Sequence, residues 1–568
     1  MRRKKAWQVY PEQPELVAAV MARHRLPRLV ARILLNRGLI EEDDILAFLD
    51  PSLERLSPPF DLPDLEAAAT RLGQAVRRDE PLAIYGDYDA DGLTATALLH
   101  QFFQELGLTC IPSIPDRLTQ GYGLKRAVLQ ELAGRAGLMV TVDCGISDAE
   151  EVAWARDQGL EVIITDHHVV PPELPPALAV VNPKRGGHNY PFADLAGVGV
   201  ALLLASGVRA ELRTEGWFRD RREPNLKAYL DLVALGTAAD VVPLVGENRI
   251  LVSQGLKMLE ESRRPGIIAL KEAVGLEGKP ISYQNVVFQL APRLNAAGRM
   301  GQARCALELL LSDDLGQART QAAYLQNLNR QRQLLEEQVL KEAAAAIRRG
   351  NLARRPVMVL GGANWHPGVI GIVAARLAEE YHRPVAMVSL TDGRGRGSAR
   401  SMEGFHLVQG LHACRQVLHK YGGHEFAAGF EVAADNLEAL QDLLEQAFHN
   451  QVGAEPPRPT LKVDAQADLG DLDNVYYRHL ETLRPFGPGN PAPVIVCLEV
   501  ACVGSRVVKD RHLKVQLAQN GIVREAIAFD MAARHPLSGT LDVALGTRLS
   551  HYQGKAAPDL RLLDWGRP

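Results

Sequence analysis

Three features of the sequence predict an α/β protein of several domains. In its first half, short apolar runs recur, each followed by a helical stretch, as in a parallel sheet with covered faces. A proline-free segment from about Asp314 to Arg349 reads as one long helix, roughly 50 Å at 1.5 Å per residue. Beyond it a second strand–loop–helix pattern appears, then short alternating strands. The predicted architecture is α/β multidomain: a parallel-sheet domain, a long connecting helix, a second α/β domain and a small C-terminal β-barrel.

Composition sets the limits. A chain of 568 residues should hold about three to five domains. With 46% hydrophobic and 23% charged residues it is built to bury a core. Its formal charge of -4 makes the whole surface no polyanion trap, so any nucleic-acid contact must come from local basic patches. The six cysteines contain no Cys-x-x-Cys pair, which argues against a disulfide framework or a zinc ribbon. "MRRKKAWQVYPEQPEL" has basic residues but no apolar core behind them, and "VGVALLLASGV" is too short to span a bilayer. A reduced, cytoplasmic protein with no membrane segment is expected.

The elements follow in order. Residues 1–60 form a polar N-terminal region. The first α/β domain is expected over 61–312. In it, Leu82 to Tyr85 is a buried strand opening into "GDYDADG", and "TATALLHQFFQEL" is a helix. "GLMVTVDCGI" is a strand ending at Asp143, "EVIITDHH" one ending at Asp166, His167 and His168, and "ALAVVNPK" another. Each polar group stands at the carboxyl end of its strand, where open α/β sheets hold ligands. Asp240 closes a helix-like run. The long helix takes 313–354 and the second α/β domain 355–452. "GAEPPRP" is a linker, and 453–568 supplies the barrel.

Asp87, Asp89 and Asp91 occupy alternate positions of one short loop. Like charges so close need a counter-charge. With Asp143, His167, His168 and Asp240 they offer more ligands than one ion needs. Hard divalent cations choose carboxylate oxygens, and an imidazole favours Mn²⁺ over Mg²⁺. Two ions about 3.5–4 Å apart would use the set well, which predicts metal-dependent hydrolysis of a phosphate ester. An EF-hand loop is excluded, because Gly92 sits sixth but Leu98 takes the twelfth place. "GVGVALLL" begins like a dinucleotide fingerprint, but Leu202 replaces the third glycine; no Walker A pattern occurs either.

The motifs "DYDADG", "VDCG", "TDHH" and "GTAADVVPL" resemble the ordered motifs of the DHH phosphoesterases. "APRLNAAGRMG", "WHPGVIGIVAARL", "GSARS", "YGGHEFAAGF" and "LRPFGPGNPAP" resemble the RecJ exonucleases in particular. The resemblance implies a DHH domain, a DHHA1-like second domain, an oligonucleotide-binding-like (OB-like) barrel and a single-strand-specific 5′→3′ DNA exonuclease. It implies two Mn²⁺ or Mg²⁺ ions held by Asp89, Asp91, Asp143, His167 and Asp240, with Asp89 and Asp91 on different ions and Asp143 bridging. Asp87 and His168 stand beside the metals, and Asp166 orients a histidine. The partners it implies are single-stranded DNA, a single-strand DNA-binding protein and a helicase; a monomer is expected.

Substrate grip is expected from the second domain. "SLTDGRGRGSARS" reads as a Gly-rich turn gathering Arg394, Arg396, Ser398 and Arg400, groups suited to phosphate. By resemblance Ser398 and Arg400 meet the terminal phosphate. Gly422 and Gly423 would let backbone approach a phosphate, with His424 facing the metal centre. Arg293, Asn295 and Arg299 precede the long helix, and one of the two arginines should contact the scissile or adjacent phosphate. His366 is a nucleotide contact, while Trp365 is equally a core residue. In the barrel, Arg506, Lys509, Arg511, His512 and Lys514 supply charge without a stacking platform.

Two other classes fit parts of the pattern: a small-substrate phosphatase or oligoribonuclease, and a non-enzymatic binding module. The barrel counts against the first and the full ligand set against the second. Asp143→Ala is expected to abolish phosphodiester hydrolysis in a labelled-strand gel assay. A binding module would lose nothing.

Overall fold

The computed structural model describes residues 5–454, 456–552 and 555–566. The chain opens with β1 (Ala6–Val9) and helices α1 (Pro14–His24), α2 (Arg28–Asn36) and α3 (Glu42–Leu49). The first α/β domain begins α4 (Leu65–Arg78), β2 (Leu82–Gly86), α5 (Ala90–Glu105), β3 (Cys110–Ser113), α6 (Arg126–Ala133), β4 (Leu138–Val142), α7 (Ala149–Asp157), β5 (Glu161–Thr165) and β6 (Ala179–Val181). It continues with α8 (Gly197–Thr214), α9 (Leu230–Asp240), α10 (Gly246–Glu260), α11 (Pro265–Ala273), α12 (Tyr283–Asn285), α13 (Ala291–Arg299) and α14 (Ala303–Leu311). The sheet is all parallel in the order β3-β2-β4-β5-β6. Every residue of β2 and β4 is buried, which is why both read as continuous apolar runs. The chain leaves β2 for β3 on one side and returns to β4 on the other. That switch point opens a crevice at the carboxyl ends.

The long helix α15 (Leu315–Arg349) runs 35 residues, with the Asp314 carboxylate accepting from Gln317 N at 2.6 Å as its N-cap. The second domain follows: β7 (Met358–Gly362), α16 (Ile370–Tyr381), β8 (Val385–Thr391), β9 (Arg394–Arg400), α17 (Leu407–Ala413), β10 (Leu418–Gly423), β11 (Ala427–Ala433) and α18 (Leu437–Val452). Its sheet runs β10-β11-β9-β8-β7, with only β7 and β8 parallel.

Here one expectation is corrected. The Gly-rich "GRGRGSARS" is not a turn but strand β9, with the turn confined to Asp392 and Gly393 before it. Alternation puts Arg394, Arg396, Ser398 and Arg400 on one face. Gly395 and Gly397 face the other way. A Cβ on Gly397 would lie 2.2 Å from the Phe430 ring, and one on Gly395 2.6 Å from Val388. These glycines make room for the core rather than bringing backbone to a phosphate.

The last unit comprises β12 (Thr460–Val463), β13 (Ala465–Gln466), α19 (Asn474–Leu480), β14 (Val494–Val508), β15 (His512–Gln519), β16 (Ile522–Ala528), β17 (Gly539–Tyr552) and β18 (Lys555–Gly566). Strands β14-β15-β16-β18-β17 close through β14–β17 pairing into a five-stranded barrel. Beside the basic residues of β14 and β15 stands one aromatic side chain outside that segment. Phe529 is 39% exposed, sits 5.0 Å from the His512 ring, and has the Arg561 guanidinium 5.0 Å over its face.

The N-terminal region is no polar lead-in. Val20, Val30, Ile33 and Leu34 share one core with Tyr476, Ile495, Leu513 and Val543 of the C-terminal unit, and β1 pairs with β12. Arg37 donates to Asp464 Oδ1 at 2.8 Å, and both side chains are buried. Removing one partner of such a pair strands the other charge. Arg37→Met is expected to destabilise this unit by about 3–5 kcal/mol in urea unfolding followed by tyrosine fluorescence, whereas a surface pair would cost under about 1 kcal/mol.

Candidate two-metal site and phosphate cleft

The acidic loop sits where β2 ends and α5 begins. Asp89 caps α5, accepting from Asp91 N at 2.9 Å and Gly92 N at 3.2 Å. Asp91, in the first turn, accepts from Gly197 N at 2.6 Å and Val198 N at 2.9 Å. The N-terminus of α8 thus aims its dipole at this carboxylate. The glycine of "GVGV" has a use after all: a Cβ on Gly197 would lie 2.8 Å from Asp143 Cβ.

Asp143 follows β4 with φ +61°, a left-handed conformation costing of order 1–3 kcal/mol that the surroundings must hold. His167 and His168 follow β5, and Asp240 ends α9. His167 Nε2 lies 3.1 Å from Asp143 Oδ1, 3.7 Å from Asp240 Oδ2 and 4.0 Å from Asp91 Oδ2. Two ligand groups result, Asp91–His167–Asp240 and Asp87–Asp89–Asp143, each with its ligand atoms within 4.8 Å of one another. A third grouping joins Asp143 to His167 and His168. Asp89 and Asp91 fall in different groups, and Asp143 faces both. Asp87, expected beside the metals, stands among the ligands of the second group.

These residues fit divalent cations. Asp87 Oδ1, Asp143 Oδ1 and His167 Nε2 are buried acceptors without hydrogen-bond donors. Burial, then the neighbouring Asp89, pushes the Asp87 carboxyl well up; burial, then Asp91, does the same to Asp143. Asp91 is raised by burial, then by Asp240 and Asp89, and Asp240 is raised to about 7 by burial and Asp89.

Asp166 is saturated. Its Oδ1 accepts from His167 N at 2.7 Å and His168 N at 3.0 Å and meets His168 Nδ1 at 2.8 Å, while Oδ2 accepts from Ile146 N at 3.0 Å. Burial works against its charge, but the His168 ring and these N–H groups hold the carboxyl below its ordinary range. Burial would neutralise His168 too, yet the Asp166 hydrogen bond raises it to about 9. Tyr122 OH lies 3.3 Å from the same His168 Nδ1.

A cleft of about 390 Å³ opens between the two α/β domains, lined by Tyr88, Arg117, Arg299, Arg396, Ser398 and Arg400. Among the described residues none of these arginines has an ion-pair partner within 4.0 Å. Burial, then Arg117, Arg332 and Arg400, lowers Arg299 to about 10. Cations crowded without carboxylates make an anion site.

Of the two candidate arginines, Arg299 lines the cleft. Arg293 does not: its Nε donates to Gln326 at 2.8 Å and its Nη1 to Gln289 O at 2.7 Å, bracing α13 on α15. Asn295, expected to bind substrate, instead accepts from Ala90 N at 2.8 Å and fixes the acidic loop. His366 Nδ1 accepts from Gly368 N at 3.0 Å, shaping the loop that lines the cleft. Trp365 is core, 5% exposed, donating to Glu342 of α15 at 2.8 Å. Gly423 lines the cleft with φ +144°, where a Cβ would lie 2.4 Å from Ala427 O. Gly422 has open space where a Cβ would stand. His424, in the β10–β11 turn, is lowered by burial, then by His168 and Lys184. Sequence reasoning missed Arg117 and Tyr122, although "DRLTQGYG" follows β3 just as the other site loops follow their strands.

Fold and site define a metal-dependent phosphoesterase of the DHH type: the model "DHH family, N-terminal domain" matches residues 81–237, and "DHHA1 domain" matches 354–450. "RecJ OB domain" matches 463–564. The chain belongs to the RecJ family. It is 34% identical over 554 residues to the single-stranded-DNA-specific exonuclease RecJ of Escherichia coli (strain K12), covering 95% of each chain. The identity is 35% over 535 residues to RecJ of Bacillus subtilis (strain 168), covering 93% of this chain and 66% of that one. Crystal structures of RecJ from Thermus thermophilus are similar throughout. The Mn²⁺ complex has a TM-score of 0.85 at 32% identity, covering 100% of this chain and 80% of that one; the Mg²⁺ complex has 0.78 at 31%, covering 99% and 78%.

The raised carboxylates give a signed prediction. Groups whose folded pKa exceeds the unfolded value of about 3.9 favour folding only while protonated. The cluster's contribution to chelated-protein stability should therefore fall as pH rises from about 4 through about 7. Cations bind the deprotonated ligands. Mn²⁺ at a hundred times its dissociation constant should add about 2.7 kcal/mol per site. Calorimetric scans should show a larger Mn²⁺-induced rise in melting temperature at pH 8 than at pH 5.

Proposed function

We propose that this chain is a single-strand-specific 5′→3′ DNA exonuclease that releases nucleoside 5′-monophosphates by hydrolysing the terminal phosphodiester. One observation carries the reading: a cluster of carboxylates and imidazole, in which buried Asp87 Oδ1, Asp143 Oδ1 and His167 Nε2 lack hydrogen-bond partners, stands beside a cleft of arginines without ion-pair partners between two domains. The first demands cations and the second demands phosphate. RecJ proteins named single-stranded-DNA-specific exonucleases, similar over nearly the whole chain, support the same substrate.

Arg299, Ser398 and Arg400 would hold the terminal phosphate, with Arg400 steadied by its own bonds to Ser398 Oγ at 3.2 Å and Ala399 O at 2.8 Å. Asp87, Asp89, Asp91, Asp143, His167 and Asp240 would hold two Mn²⁺ or Mg²⁺ ions. Bound there, such ions polarise a phosphoryl oxygen and lower the pKa of a water. His168, held by Asp166 at 2.8 Å, would face the scissile phosphate, with His424 across from it. Tyr88, under the Arg117 guanidinium at 5.0 Å, lines the cleft and would meet the terminal base. The barrel, with Phe529 and its basic residues, would bind the trailing strand. A role in DNA repair and recombination in the cytoplasm, acting as a monomer beside a single-strand DNA-binding protein and a helicase, is consistent with this reading.

A 5′-phosphorylated single strand labelled at its 3′ end, given Mn²⁺, should shorten progressively from the 5′ end. Chelator should stop it, and a matched duplex should resist. Cleavage confined to a dinucleotide would replace this reading with a small-substrate one. Arg400→Ala should lower kcat/KM on the strand by about 10–100-fold through loss of a charge-assisted phosphate contact.

A further inference from the structure

Arg249 is the largest fully buried side chain of the described residues, 1% exposed. Its hydrogen bonds go to backbone carbonyls: Phe48 O at 3.0 and 3.1 Å, Leu483 O at 3.0 Å and Thr482 O at 3.1 Å. Its guanidinium also lies 3.8 Å over the Phe48 ring. Phe48 belongs to the N-terminal helices, and Thr482 and Leu483 to the segment leading into the barrel. One side chain of the catalytic domain therefore pins both halves of the barrel unit.

The strap between Asp240 and Arg249 is held on its other side too. Leu244 N donates to Pro488 O at 2.7 Å, and a Cβ on Gly487 would lie 2.8 Å from Leu244. Gly489, at φ +71°, leaves a would-be Cβ only 3.1 Å from Pro243. Asn490 Nδ2 donates to Leu483 O at 2.8 Å, sharing the carbonyl that Arg249 uses, and to Pro485 O at 2.9 Å. Val241, the residue after Asp240, has φ +65°. A β-branched residue takes that conformation only under outside constraint. The "FGPGN" loop holds the strap that follows Val241, through Pro243, Leu244 and Val245.

We propose that Arg249 and the Phe486–Asn490 loop are positioning residues for the metal centre: the docked barrel unit clamps the strap and so sets Asp240. This rests on Asp240 being a metal ligand, as in the reading above. The barrel then helps assemble the site as well as holding DNA.

The test measures Mn²⁺ binding to full-length protein by calorimetry without DNA, and steady-state kinetics on the 5′-phosphorylated strand. Arg249→Met and Gly489→Ala should each weaken Mn²⁺ binding by about 10–100-fold, the usual effect of removing a ligand's support. Their kcat should fall while the strand KM stays near wild type, and Arg249→Lys should recover part of the affinity. Unchanged Mn²⁺ affinity with a raised KM would overturn the proposal and leave Arg249 a domain anchor only. If Arg249→Met does not fold, Gly489→Ala and Arg249→Lys decide by the same readout. Asp240→Ala serves as the control: if it leaves Mn²⁺ binding intact, the ligand assignment itself is wrong, an outcome separate from loss of clamping.

Discussion

The organising constraint is electrostatic repulsion among buried carboxylates. Two like charges 4 Å apart oppose each other by about 4 kcal/mol at an effective dielectric of 20. Asp87, Asp91 and Asp143 are all buried with Asp89 and Asp240 beside them. No folded chain keeps such a group without compensation. The α8 N-terminus offsets part of the repulsion at Asp91, and His168 with its backbone neighbours neutralises Asp166. The remainder falls to bound cations, and the rest of the molecule is arranged around presenting phosphate to them.

The second domain supplies the opposite excess. Arg299 and Arg400 face one cleft with Arg117 and Arg396; after burial, Arg117 makes the charge of both Arg299 and Arg400 costlier, and Arg400 adds to that of Arg299. Cations on one wall and arginines on the other both call for the same phosphodiester between them. Their separation is set by α15. Glu336 on that helix accepts from Arg332 at 2.5 Å and from Arg376 of the second domain at 2.7 Å, and Glu342 accepts from Trp365. A rigid helix with two side-chain ties fixes a gap better than a loop could.

The barrel unit completes the arrangement from a third direction. It gathers the first fifty or so residues and the last hundred around one core, and seats on α10 through Arg249. Chain ends far apart in sequence thus become neighbours of the segment that carries Asp240.

Much of this was legible in the sequence. Strands β2, β4 and β5 announce themselves as apolar runs, and their carboxylates and histidines stand at the ends because strand ends are local facts. The α15 helix is equally local, since periodicity and the absence of proline define it. Tertiary structure decided the rest. "GRGRGSARS" reads as a turn because glycine carries no face pattern; only Phe430 packed behind it makes it a strand. Asn295 and Arg293 look like substrate ligands until Ala90 N and Gln326 claim them. The N-terminal helices, Arg249 and the "FGPGN" loop have no local signature of their partnership. Their partners lie hundreds of residues away, and a contact that closes so long a loop is visible only in the folded chain.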